Sequence, residues 1–156
     1  MDATDPQQFR FYRMEREEIG ARDYARMTFK ACGKVARSVC RAYSIPQATL
    51  KKRVMGTWAA EYDYVDESIT LNPKKGTATD LLTILHELAH HVHYHMGGSK
   101  YEDHANHGKE FVACYISVLD TVRLIPSDAM AVICKRRRIA YIPPGPSIRS
   151  LKRAIR

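Results

Sequence analysis

The stretch Leu81-Leu82-Thr83-Ile84-Leu85-His86-Glu87-Leu88-Ala89-His90 decides how the rest of the chain is read. Leu81, Leu82, Ile84, Leu85, Leu88, Ala89 and Val92 give a helix with a broad apolar surface. Thr77, Thr79 and Asp80 offer N-caps ahead of it, and Gly97-Gly98 supplies a stop. Within that helix lies an H-E-x-x-H motif. An α-helix turns about 100° per residue, so His86 and His90 project from one face a turn apart and both reach one metal ion. Polar side chains in so apolar a helix are costly to bury unpartnered, and a metal supplies the partner. The donors point to zinc. Two neutral imidazoles and a third protein ligand leave one position for water, whose pKa the metal lowers to about 7. Glu87 is placed to take the proton as that water attacks a carbonyl.

The third ligand must come from elsewhere. Metzincin spacing requires Gly and His where this chain has His93 and Met96, which excludes that arrangement. After a loop, Val112, Tyr115, Ile116, Leu119 and Val122 resume a helical pattern, and both His104 and His107 stand near its start. Either histidine can face the first helix across the metal. Glu110 is read as orienting a ligand rather than binding the ion. His91 and His95 point away from the metal face and are read as solvated. His93, about a turn beyond His90, is read as supporting the ligands or lining the cleft.

Outward from the motif, apolar residues recur at helical spacing over 21–43, and Ser44-Ile45-Pro46 closes that helix. Residues 57–64 and Ser68–Leu71 have the aromatic and β-branched content of strands joined by a turn near Asp66. A further helix starts near Pro126-Ser127-Asp128 and runs toward Cys134. The expected fold is α+β, with helices packed on a small antiparallel sheet. Ser68–Leu71 is assigned as the free strand beside the metal to which an extended substrate adds.

The H-E-L-A-H run, the downstream His107-Gly108-Lys109-Glu110-Phe111, and the preceding 56–64 and 68–73 segments together resemble the SprT-like/Spartan group of zinc metalloproteases. The similarity spans about residues 20–125. It implies a minimal zincin-like core with Zn2+ held by His86, His90 and His107, and Glu87 as the catalytic glutamate. It further implies an endopeptidase acting on proteins bound or crosslinked to DNA. Unlike several members of that group, this chain has no zinc ribbon: Cys32, Cys40, Cys114 and Cys134 are scattered rather than paired as C-x-x-C. Cys32 and Cys40 are read as buried apolar side chains in a reducing compartment.

At 156 residues and 45% apolar composition, the chain has room for one real core. It shows neither a signal-peptide pattern nor an apolar run of the roughly 20 residues that span a bilayer, so an intracellular location is expected. Charge divides the sequence into a metalloprotease domain, 1–134, and a basic tail, 135–156. The tail carries Lys135, Arg136, Arg137, Arg138, Arg149, Lys152, Arg153 and Arg156 and no acidic residue. The other 134 residues hold 17 basic and 17 acidic side chains, so the net +8 resides in the tail. Such a segment is an electrostatic footprint for nucleic acid, DNA included, or another polyanion; the alternatives are a solvated tail that aids solubility and a segment that docks on acidic groups of its own domain. Two other functions fit these features. One is a nucleic-acid-binding module with structural zinc; the other is a regulatory peptidase that cuts a repressor and uses a carboxylate as third ligand.

Overall fold

A computed structural model describes residues 7–20, 24, 26–97 and 106–142. In chain order the elements are α1 (Gln8–Met14), a π-helical turn (Glu15–Ile19), α2 (Phe29–Tyr43), β1 (Thr49–Lys52), β2 (Ala60–Asp63), β3 (Ser68–Leu71), α3 (Leu81–Gly97), α4 (Lys109–Thr121) and α5 (Ser127–Arg137). The helices pack on one small sheet, an α+β arrangement. Asp80 starts α3: its carboxylate accepts the Thr83 backbone N–H at 2.8 Å, satisfying a donor that the first turn leaves open. The helix then buries Ile84, Leu85, Leu88, Ala89 and Val92 and ends at Gly97. Across from it, α4 buries Phe111, Val112, Tyr115, Ile116 and Leu119.

The sheet differs from expectation in two ways. Its order is β1-β3-β2, with β1 parallel and β2 antiparallel to β3, so it is mixed rather than antiparallel. β3 is therefore central and wholly buried, and cannot be the free strand proposed for it. The cause is β1, whose Thr49-Leu50-Lys51-Lys52 sequence is too charged to read as a strand. It survives as an exposed edge, where lysines discourage further pairing. Asn72, fully buried just after β3, donates from Nδ2 to the Met55 and Trp58 carbonyls at 2.8 and 3.0 Å and so fixes the approach to β2.

The helix expected over 21–43 begins only at Phe29, where Thr28 Oγ1 caps the Ala31 N–H at 3.1 Å. Immediately before it, Arg26 bridges Asp80 and Met27 donates its N–H to the Thr79 carbonyl. Pairing with the segment ahead of α3 thus replaces a helical turn. Cys32 and Cys40 are buried as expected, and all four cysteines are free.

The N-terminal pair, α1 and the π-turn, has no counterpart in the sequence reading. Its inward residues are Phe11, Met14 and Ile19, and the charged positions around them mask the apolar face. Gly20 N–H closes the π-turn on the Glu15 carbonyl at 2.7 Å. At the other end, α5 carries Lys135, Arg136 and Arg137 as its last turn and buries Met130 and Cys134. Arg136 meets Glu18 at 2.5 Å, while Arg137 meets Glu17 at 2.9 Å and Glu18 at 2.6 Å. These two tail cations face acidic groups of their own domain. Ile139 is buried, and the Ile142 N–H reaches the Lys109 carbonyl. Arg149, Lys152, Arg153 and Arg156 lie outside the described residues.

Candidate metal centre

α3 presents His86 and His90 on one face, and the turn before α4 places His107 against them. All three are buried, and each offers a ring nitrogen within 4.8 Å of the others. The Nε2 atoms of His86 and His107 are 3.3 Å apart. Donors about 2.0–2.1 Å from a tetrahedral zinc ion stand roughly 3.3–3.4 Å from each other, so this spacing suits such an ion. Buried His86, His90 and His107 lie close enough to hold a metal ion.

The outward-facing nitrogens are held by other groups. His86 Nδ1 lies 3.0 and 3.1 Å from the two carboxylate oxygens of Glu15, and His90 Nδ1 lies 2.9 Å from Tyr64 Oη. A single ring proton on each Nδ1 would leave Nε2 with its lone pair toward the centre of the cluster, which is how supporting groups fix the tautomer of a metal ligand. Tyr115, fully buried on α4, donates its hydroxyl to Glu15 at 2.7 Å. Burial first, then the Glu15 charge, raises the Tyr115 phenol well above its ordinary range and keeps it a donor. Aromatic rings pack the cluster: Tyr12 stacks on His86 and Phe111 on His90, with centroids 5.7 and 4.2 Å apart. Gln7 donates to the His107 carbonyl at 2.7 Å and pins the turn that presents this ligand.

Burial alone would push the His86 imidazole down, but the Glu15 carboxylate, by charge and hydrogen bond, and Glu87 outweigh it and hold the pKa at about 9. Burial, and then the neighbouring histidines, drive His90 well below its ordinary value. Glu87 stands outside the ligand cluster. Burial, with added repulsion from Glu15 and Glu61, raises its carboxyl to about 7 against the opposing His86 charge and the Tyr62 backbone N–H. It borders a cleft of about 360 Å³ that is also lined by Tyr12, Glu15, Trp58, Ala60 and His86.

His86, Glu87, His90 and His107 are thus brought together, whereas His104 lies outside the described residues. His91 and His95 point away from the cluster but are not solvated. His91 is fully buried, its Nε2–H donating to the Pro46 carbonyl and its Nδ1 accepting from the Tyr62 hydroxyl, each at 2.8 Å. His95 Nε2 meets Glu67 at 2.7 Å. The β2–β3 hairpin and the end of α2 cover this second face of α3, which helical spacing alone does not reveal. Glu67, His91 and His95 form a second potential ligand group. Both His91 nitrogens are already engaged, and its role is structural.

His93 is 2% exposed, so it packs beside Phe111 and does not line an open cleft. Glu110 ion-pairs weakly with Lys109 at 3.9 Å. The carboxylate that orients a ligand is Glu15, which the sequence reading missed. Its only signal was the acidic Glu15-Arg16-Glu17-Glu18 run, and nothing in that run points to a site. Two tyrosines near the cluster are already engaged: Tyr115 is committed to Glu15, and Tyr94 packs near Tyr64. Among the described residues, no helix is long and apolar enough to cross a membrane. Comparison of the chain with protein-family models, with curated proteins and with solved structures finds no match.

Proposed function

We propose that this protein is a zinc-dependent endopeptidase. The observation that carries the reading is a buried three-histidine cluster with a carboxylate, Glu87, held beside it but outside it, at the wall of an open cleft. His86, His90 and His107 would hold the ion. When bound, zinc supplies Lewis acidity and lowers the pKa of a coordinated water to about 7. Glu87 accepts a proton and returns it to the leaving amine, and the burial that raises its carboxyl in the metal-free protein favours taking that proton up. Glu15 and Tyr64 keep the ligand rings oriented. Trp58 and Ala60, on the approach to β2 and at its start, line the same cleft and give an extended chain a place to lie beside Glu87.

Resemblance to the SprT-like group supports a protein substrate held on DNA. Structural zinc is disfavoured by the donor set: such sites are usually closed by four ligands and rich in cysteine, whereas this cluster has three histidines. The repressor-cutting reading requires a carboxylate third ligand, whereas the group close enough to His86 and His90 to complete such a set is the His107 imidazole.

The test is metal analysis and proteolysis of an unfolded protein substrate by wild type, Glu87→Gln and His107→Ala. The expected result is one zinc per wild-type chain, metal retained but cleavage abolished in Glu87→Gln, and both lost in His107→Ala. Cleavage by Glu87→Gln at the wild-type rate would overturn the reading.

A further inference from the structure

From Tyr24 to Ala60 the chain carries eight basic residues and no acidic one. All eight, Arg26, Lys30, Lys34, Arg37, Arg41, Lys51, Lys52 and Arg53, are exposed. The overall balance of 17 against 17 across residues 1–134 conceals this concentration. Lys30, Lys34, Arg37 and Arg41 follow i, i+4, i+7, i+11 spacing and so form one stripe along α2, opposite its buried Cys32, Ala36, Val39 and Tyr43.

A charged outer face is ordinary for an amphipathic helix, but such faces normally mix signs. Like charges three and four residues apart repel. Elsewhere this chain pairs its cations: Arg13 with Glu17, Arg136 with Glu18, and Arg137 with both Glu17 and Glu18. Among the described residues, Lys51 with Asp66 is the one such pair involving these eight cations.

The stripe continues into a shaped anion seat. Lys52 Nζ lies 4.7 Å over the ring of Phe29, the first residue of α2. Arg26, Lys52 and Lys75, with Asn72 and Thr79, line a cavity of about 300 Å³. Gly76 makes room there: a Cβ on it would stand 2.5 Å from Arg26 Nη2. A pocket of three cations with the Thr79 hydroxyl matches a phosphate, the Asn72 amide being spent on the Met55 and Trp58 carbonyls.

We infer that the face formed by α2, the end of β1 and the turn at 72–76 binds the phosphate backbone of duplex nucleic acid. Arg41 lies eleven positions beyond Lys30, a rise of about 16 Å, enough to meet phosphates on both sides of a major groove about 12 Å wide. Phe29 lies beneath Lys52 and is not an open stacking platform of the kind that holds single strands. Among the described residues of α2, β1 and the 53–54 and 72–76 segments, Val54 is the one strongly exposed large apolar side chain, too little to insert into a lipid surface. The inference is independent of the peptidase reading.

The experiment measures binding of a short mixed-sequence duplex by the full chain across a salt series, with anisotropy as readout. The charge-reversed Lys34→Glu/Arg37→Glu protein should bind at least roughly tenfold more weakly, with a log K against log salt slope shallower by about 2, since each lost phosphate contact removes about 0.9. Lys34→Gln/Arg37→Gln, which keeps helix-compatible side chains, should show the same change in slope. Deletion of residues 147–156 serves as the comparison. Wild-type affinity and slope in both double variants, with binding lost only on the deletion, would overturn the inference. So would variants that lose binding to phosphatidylserine vesicles but keep it to duplex, or single-strand binding that exceeds duplex binding and survives both substitutions.

Discussion

Glu15 orients His86 from 71 residues away and is itself held by Tyr115. Replacing such a supporting group typically costs 10–100-fold in metal affinity. Glu15→Gln should therefore bind zinc roughly 10–100-fold more weakly while keeping its fold. Calorimetry in buffers of different ionisation enthalpy adds a second readout. In the metal-free protein His86 titrates at about 9, above its ordinary 6.5. The charged His86–Glu15 pair thus stabilises the metal-free fold fully below pH 6.5, and that contribution is lost as pH rises through about 9. On the proposed reading, zinc would displace the same proton, so affinity should climb across this window, with about one proton released from His86 at neutral pH. Glu15→Gln should release less. Equal affinity and equal proton release in the two proteins would remove Glu15 from the centre. The motif made His86, Glu87 and His90 legible because helical periodicity links them locally. No spacing rule reaches Glu15 or Tyr64, whose roles exist only after folding.

At the level of elements, α3 was legible from end to end because cap, apolar surface and glycine stop agree. Asp80→Ala should destabilise the protein by about 0.5–2 kcal/mol in urea unfolding, and Asp80→Asn by less, because asparagine caps nearly as well. If both matched wild type, the cap would contribute nothing. The strands show the opposite case. β3 was found with its correct bounds but placed at the edge, since a strand's position in a sheet depends on its partners. The missing partner, β1, lacks an alternating pattern because only Leu50 among its four residues is partly buried. α1 was lost for a related reason: Phe11 and Met14 are its only buried residues, too few to set a period.

Across the whole molecule, net charge was legible and its placement was not. Counting over long blocks assigned the excess to residues 135–156, yet Arg136 and Arg137 close onto Glu17 and Glu18, while the stripe on α2 faces outward. The π-turn consequently serves two ends of the fold, with Glu15 toward the histidines and Glu17 and Glu18 toward α5. Gln7 makes a similar fork: one amide accepts the Ala140 N–H at 2.9 Å and donates to the carbonyls of His107 and Ala140 at 2.7 and 3.0 Å. The three histidines themselves lie within a short central span, whereas the groups that steady them come from far along the chain in both directions. If the centre holds zinc as proposed, an incompletely closed molecule should still capture it, but only loosely. Metal retention becomes a gauge of tertiary closure. In a urea titration, zinc captured by a chromophoric chelator should appear at lower denaturant than the loss of helical circular dichroism, because a few distant hydrogen bonds open before α3 and α4 unravel. Coincident transitions would mean that closure and core melt as one unit. On the expected outcome, a locally opened molecule sheds its metal while most of its helix remains, so damage to either end silences the centre before the protein unfolds.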